Sequence, residues 1–225
     1  MGRLSPRRSG GGGGGGGGGA PRAARPLGPP PRAGVTVSAT GGIGGVHPGE
    51  HLDVSADLVE LSRTPGLLVC SGPKSIIDPT ATAERLEELG VTPIGYGVSR
   101  LPFFLAREAP VELAHRVETP AEAAALLAAA IDLDTRSTIL LCNPIASESA
   151  MDADEIAAAT RGAEERAARE GIRGRARTPY LLAALAELTD GRSMEANLAL
   201  LAANAGLAGD VAAAAARGGR LDDGR

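Results

Sequence analysis

The chain has 225 residues and a formal charge of −4. It holds 16 Pro, 32 Gly, two Cys, two Phe, two Tyr and no Trp. That length suits one domain with a tail. Beyond residue 33 there are 17 Arg and Lys against 27 Asp and Glu. An acidic globule with so few aromatics argues against a duplex nucleic-acid surface and against stacking platforms for single strands.

The first segment, residues 1–33, contains six Arg, no acidic residue and an unbroken Gly10 to Gly19 run. Its apolar surface is too small to offset the entropy of ordering, so it is expected to be a disordered tail. A folded domain over 34–217 follows, with a short C-terminal tail over 218–225. No run resembling a signal peptide or a membrane span of ~20 apolar residues is expected. Cys70 and Cys142 each end an apolar run without metal-type spacing, and read as buried thiols in a reducing, cytoplasmic compartment.

From Gly34 the pattern is α/β. Val35 to Ser38, Leu67 to Cys70, Pro93 to Tyr96 and Ile139 to Cys142 read as short buried strands, each followed within three residues by Gly, Ser, Pro or Asn. Helices are predicted over Asp53 to Ser62, Ala81 to Leu89 and Pro120 to Ala130, then over Met151 to Glu170. Thr178 to Leu188 is another, and Ser193 to Arg217 one or two more. This alternation predicts a mostly parallel sheet flanked by helices, with ligands at the carboxyl ends of the strands. Four strands are few for so much helix, which suggests further strands before Gly34.

Three clusters carry chemistry. Of 23 basic residues one is a lysine, Lys74, in the turn Ser71-Gly72-Pro73-Lys74-Ser75 after a strand. Lysine, unlike arginine, loses its proton near neutrality and attacks a carbonyl to form an imine; a chance surviving surface lysine is the other reading. The second cluster is Thr40-Gly41-Gly42-Ile43-Gly44-Gly45-Val46-His47. It reads as a tight turn, or as a loop whose amides face an anion. It matches neither a Walker loop nor a dinucleotide fingerprint. The third is Asp53-Val54-Ser55-Ala56-Asp57, where Ser55 is a helix N-cap, Asp57 sits in the first turn, and Asp53 lies outside as a candidate ligand for a hard divalent ion. His47 and His51 are candidate ligands, proton carriers or solvated loop residues.

Together and in this order the clusters resemble the pseudouridine-5'-phosphate glycosidases. The likeness is carried by Thr40 to His47, Asp53 to Leu58 and Val69 to Ser75. It continues through Pro93 to Tyr96, Pro102-Phe103, Asn143 to Ile145, Thr178-Pro179, Ser193 to Asn197 and Asn204-Ala205. The resemblance implies the fold of that family and a reversible cleavage of pseudouridine 5'-phosphate to uracil and ribose 5-phosphate through a lysine imine. It assigns the imine to Lys74 and a Mn2+ ligand to Asp53. Substrate contacts fall on Thr40, Ser55, Ala56, Asp57 and Asn197. It also implies a homotrimer. Members carry a further segment before the Gly-rich motif, with a glutamate proton donor and a second lysine. Here no Asp, Glu or Lys precedes Gly34, and Arg175 stands where a lysine is expected. The alternatives are an inactive remnant that binds sugar phosphate or oligomerises, and another imine-forming sugar-phosphate lyase.

Overall fold

The computed structural model describes residues 36–49 and 53–218. The expected tail, His51 and residues 219–225 lie outside the described residues, as do any strands before Gly34.

Five parallel strands form one sheet in the order β1-β2-β5-β3-β4: β1 (Val37–Ala39), β2 (Gly66–Cys70), β3 (Pro93–Tyr96), β4 (His115–Val117) and β5 (Thr138–Cys142). Strand β4 was not expected from the sequence. It is a three-residue edge strand with His115 and Arg116 exposed, so it has no apolar run to announce it. Residues alternate between the two faces of the central strands. Leu67, Val69 and Leu141 face α3 (Pro120–Asp132) and α6 (Arg192–Arg217), meeting Leu127, Leu207 and Val211. Leu68, Cys70, Leu140 and Cys142 face the other way, onto Leu58 and Leu61 of α1 (Ala56–Leu61) and Leu86 of α2 (Pro79–Glu88). Each such side chain, fully withdrawn from water, contributes about 1.5–3 kcal/mol.

The helix starts follow local chemistry. Asp78 and Thr119 cap α2 and α3, accepting the amides of Ala81 and Glu122, and each is followed by Pro at the first helical position, where its missing N–H costs nothing. Asp152 accepts from Asp154 and Glu155 to start α4 (Ala153–Arg169). Helices α4 and α5 (Arg177–Leu188) pack as a pair over the loops at the carboxyl edge of the sheet. Ile76 and Ile77 lie against Ala163, Ala167 and Leu181, while Ile145 and Phe104 lie against Ile156 and Leu185.

The segment expected as one or two final helices is a single helix of 26 residues. Among the described residues it is the one helix long and apolar enough to cross a membrane, which corrects the expectation that no stretch reaches that length. Its packing on α3, β1 and β2 accounts for part of that apolarity: 33% of the apolar stretch is buried inside the fold, and Leu198 and Leu201 stay on the outward face.

Candidate functional site

The turns after β1, β2 and β5 meet at the carboxyl edge of the sheet. After β1 the Gly-rich segment continues the pairing with β2 beyond the sheet itself. Thr40 N–H donates to Val69 O at 2.9 Å, Ser71 N–H to Gly41 O at 2.8 Å, Ile43 N–H to Gly72 O at 3.0 Å, and Lys74 N–H to Ile43 O at 3.0 Å. The backbone of Lys74 is therefore fixed by the loop that follows the neighbouring strand β1.

The glycines in this segment make room for neighbours. A Cβ on Gly44 would lie 2.4 Å from Ser55 Oγ and 2.9 Å from Asp57 Oδ2; one on Gly42 would strike the Phe104 ring. Gly72 has φ +78°, and a Cβ there would fall 1.8 Å from Pro102 O. Only glycine fits. Phe104, buried beside this turn, itself holds a left-handed φ of 54° and donates its N–H to Ser71 O at 2.7 Å. Strained non-glycine residues of this kind concentrate at sites where the surroundings over-determine them.

The anion-facing reading of the loop is corrected at four positions. Gly44 N–H donates to Asp57 Oδ2 at 2.8 Å, Val46 N–H to Thr82 Oγ1 at 3.0 Å, and His47 N–H to Asp53 O at 3.1 Å, while Ile43 N–H is committed to Gly72. These amides hold the protein's own acceptors. Ser55 caps α1 as expected, with its Oγ accepting Asp57 N–H at 3.2 Å and its own N–H on Gly45 O at 2.9 Å. Ala56 is the first helical residue. Ser55 to Asp57 thus clamp the Gly-rich loop.

Lys74 is held below its ordinary pKa. Desolvation is the main cause, opposed by the charge of Asp57 and by the nearby Cys70. Burial disfavours the ammonium form and raises the fraction of neutral amine. Cys70 and Cys142 lie side by side in register across β2 and β5, both free and buried, and the side-chain hydrogen bond with Cys70, followed by burial, pushes the Cys142 thiol up.

Asn197 reaches the same place from α6: its Oδ1 lies 2.9 Å from where a Cβ of Gly41 would stand. The more central α6 residue is Asn204, fully buried, which sequence reasoning did not single out as a site residue. Its Nδ2 donates to Thr40 O at 2.8 Å and lies 3.3 Å from Gly41 O and 3.1 Å from Ser71 Oγ, while its Oδ1 accepts from Asn143 Nδ2 at 3.0 Å.

Asp53 lies in a cleft of about 220 Å³ whose lining includes Glu164, Arg173 and Arg177. Its Oδ2 accepts from Arg177 Nη1 at 3.1 Å, and Arg177 Nη2 donates to Glu164 Oε2 at 3.0 Å. No group of three His, Cys, Asp or Glu suited to a metal occurs among the described residues. The cleft offers a divalent ion one carboxylate, Asp53, whose Oδ2 is already paired with Arg177, and does not offer a chelating set.

The family model described as indigoidine synthase A like protein matches residues 22–214. A pseudouridine-5'-phosphate glycosidase of Gemmatimonas aurantiaca is 49% identical over 185 residues, covering 82% of this chain and 60% of the relative. One of Thermus thermophilus is 49% identical over 183 residues, covering 81% and 64%. Among solved structures, an indigoidine synthase A-like protein of Thermotoga maritima superposes with a TM-score of 0.75 at 38% identity, covering 81% of this chain and 60% of that one. The prealnumycin C-glycosynthase AlnA, in complex with ribulose 5-phosphate, superposes with a TM-score of 0.77 at 38% identity, covering 84% and 63%. The chain thus spans about three-fifths of the length of the relatives it matches. These relatives bear out both the resemblance read from the motifs and the parallel α/β fold. The chain belongs to the indigoidine synthase A like protein family.

Proposed function

We propose that this chain carries the imine-forming part of a pseudouridine-5'-phosphate glycosidase, which reversibly cleaves the C–C glycosidic bond of pseudouridine 5'-phosphate to uracil and ribose 5-phosphate. The observation that carries this reading is the sole lysine, desolvated and fixed at the carboxyl edge of the sheet. The names of the relatives support the substrate, and the ribulose 5-phosphate bound to AlnA supports a pentose-phosphate site.

A C–C bond lacks the oxygen leaving group that ordinary glycosidases protonate, so an electron sink is needed. Neutral Lys74 Nζ adds to C1 of the sugar, the ring oxygen leaves with a proton, and the ring opens. Protonation at C5 of uracil lets the nitrogen lone pair form C=N as the C1–C5 bond breaks, its electrons restoring the uracil ring. Water then adds to C1, releasing ribose 5-phosphate and the lysine. By the resemblance, the proton at C5 comes from a glutamate in the segment preceding the Gly-rich motif.

Thr40, Ser55, Ala56, Asp57 and Asn197 are proposed as substrate contacts, Thr40 on the Gly-rich loop, Ser55 to Asp57 at the start of α1 that clamps it, and Asn197 against Gly41. Asp53 is proposed to hold Mn2+, mainly through retained waters; when bound, the ion supplies positive charge toward an anionic substrate. A homotrimer and a cytoplasmic location complete the proposal. The buried free thiols are in keeping with a reducing compartment.

Borohydride reduction with ribose 5-phosphate, followed by peptide mapping, tests the nucleophile. A pentose-phosphate adduct on Lys74, lost in Lys74→Arg, is expected; an intact Lys74 peptide at saturating sugar phosphate refutes it. Uracil release from pseudouridine 5'-phosphate separates the two readings: trapping without release identifies a sugar-phosphate binder. For Asp53, the paramagnetic resonance of free Mn2+ should diminish with the wild type and persist with Asp53→Asn.

A further inference from the structure

We infer that Asn204 is a positioning residue for Lys74, acting through the backbone of the Gly-rich loop and the Ser71 turn. The inference rests on the Lys74 reading above.

Asn204 lies halfway along α6, 164 residues from Thr40, and is 0% exposed. It touches the turn after each of three neighbouring strands: Thr40 and Gly41 after β1, Ser71 after β2 and Asn143 after β5. A carboxamide has two N–H donors and two acceptor lone pairs, and here both ends are engaged. No other uncharged side chain of this size offers donors and acceptors together, so an apolar replacement takes the donor from Thr40 O and the acceptor from Asn143 Nδ2, and leaves Gly41 O with Ser71 N–H alone.

The route to Lys74 is short. Gly41 O, next to the carboxamide, also accepts Ser71 N–H, and Ser71 O accepts Phe104 N–H. Two residues beyond each, Ile43 and Pro73 form a parallel bridge, and Ile43 O holds Lys74 N–H. Asn204 therefore fixes the two chains whose pairing fixes the lysine backbone, without a contact to the amine itself. If this pairing loosens, water reaches Lys74 and the reacting atoms drift, and a misplacement of about 1 Å costs up to roughly 10²-fold in rate.

Two measurements on the full chain test this, using Asn204→Leu, Asn204→Asp, Ser71→Ala and Asn143→Ala. The first is the pH dependence of Lys74 acetylation by acetic anhydride, read by peptide mass on folded protein; it needs no sugar phosphate. The second is the saturated rate of borohydride trapping with ribose 5-phosphate, per folded molecule. In Asn204→Leu the acetylation midpoint should rise by about one pH unit as the site hydrates, and the saturated trapping rate should fall by about tenfold or more. Asn204→Asp should behave alike at high pH and recover as pH falls, because a protonated carboxyl regains a donor. Ser71→Ala and Asn143→Ala, which each remove one bond, should shift both readouts less, and they decide the matter if Asn204→Leu does not fold. A residue that merely stabilises the fold would lower the melting temperature and leave both per-molecule readouts unchanged. That result overturns the inference. A shifted acetylation midpoint with no trapping in the wild type leaves Asn204 in its role and removes the imine reading instead.

Discussion

Asp57 Oδ2 accepts the N–H of Gly44 at 2.8 Å, and the same carboxylate raises the proton affinity of Lys74 against the desolvation that lowers it. One side chain thus ties the Gly-rich loop to α1 and sets how far the amine can be neutralised. Burial wins, and the net shift is downward.

The sign of that shift gives a stability prediction. Lys74 binds its proton less readily folded than unfolded, so charged Lys74 destabilises the fold below its folded pKa. The penalty fades as pH rises from there toward the ordinary value of about 10.5. Lys74→Met removes a buried charge and keeps the stem. Its melting temperature should exceed that of the wild type at neutral pH, and the gap should narrow as pH approaches 10. A gap independent of pH would show that the lysine is not desolvated in solution.

Gly72→Ala should cost about 3 kcal/mol or more, since a left-handed φ is unfavourable for alanine and the added carbon meets a backbone oxygen that cannot swing away. Gly90→Ala is the control. It also has positive φ, but its Cβ would meet nothing within 4 Å, so it should cost about 1–2 kcal/mol, the backbone term alone. Denaturant midpoints for the pair separate steric contact from conformational strain; equal losses would mean the Pro102 contact is absent.

Much of this was legible beforehand, because short-range rules govern it. The buried strands ended in turn residues, Ser55 capped its helix, and a lone lysine stood at a strand's carboxyl end. What escaped depends on contacts far apart in sequence. Nothing local marks Asn204 as the tie between three turns, since Asn in an Ala-rich helix reads as surface. Nor does Asp53 announce Arg177, 124 residues later, as its partner. The free-amide reading of the Gly-rich loop fails at Ile43, Gly44, Val46 and His47 for the same reason: their acceptors on Gly72, Asp57, Thr82 and Asp53 become visible only when the chain is folded.

Arg177 is 15% exposed and bridges Asp53 to Glu164. Removing one partner from a mostly buried group leaves the others under-solvated. Arg177→Met should therefore destabilise the chain by about 1–3 kcal/mol. Adding Glu164→Gln should recover part of the loss, because the amide needs no counter-charge. A double-mutant cycle measures this coupling, and strictly additive losses would show that the bridge is not formed in solution.

The last expectation concerns the outward face of α6, where Leu198 is 60% exposed and Leu201 40%, while Leu200 is 1% exposed. If the helix is a core element of this fold, the three leucines must respond by face and not by hydrophobicity. Leu200→Ala should cost about 2–5 kcal/mol through the transfer and cavity terms. Leu198→Ser and Leu201→Ser should stay within about 0.5 kcal/mol in the isolated chain. The two serine variants also bear on the proposed trimer, since apolar side chains left on a surface are natural material for an interface. If copies of this chain associate through α6, sedimentation should show the serine variants dissociating at concentrations where the wild type remains associated, with their monomer stability unchanged. If instead all three substitutions cost alike, α6 is turned differently about its axis, and the placement of Asn204 among the three turns would fall with it.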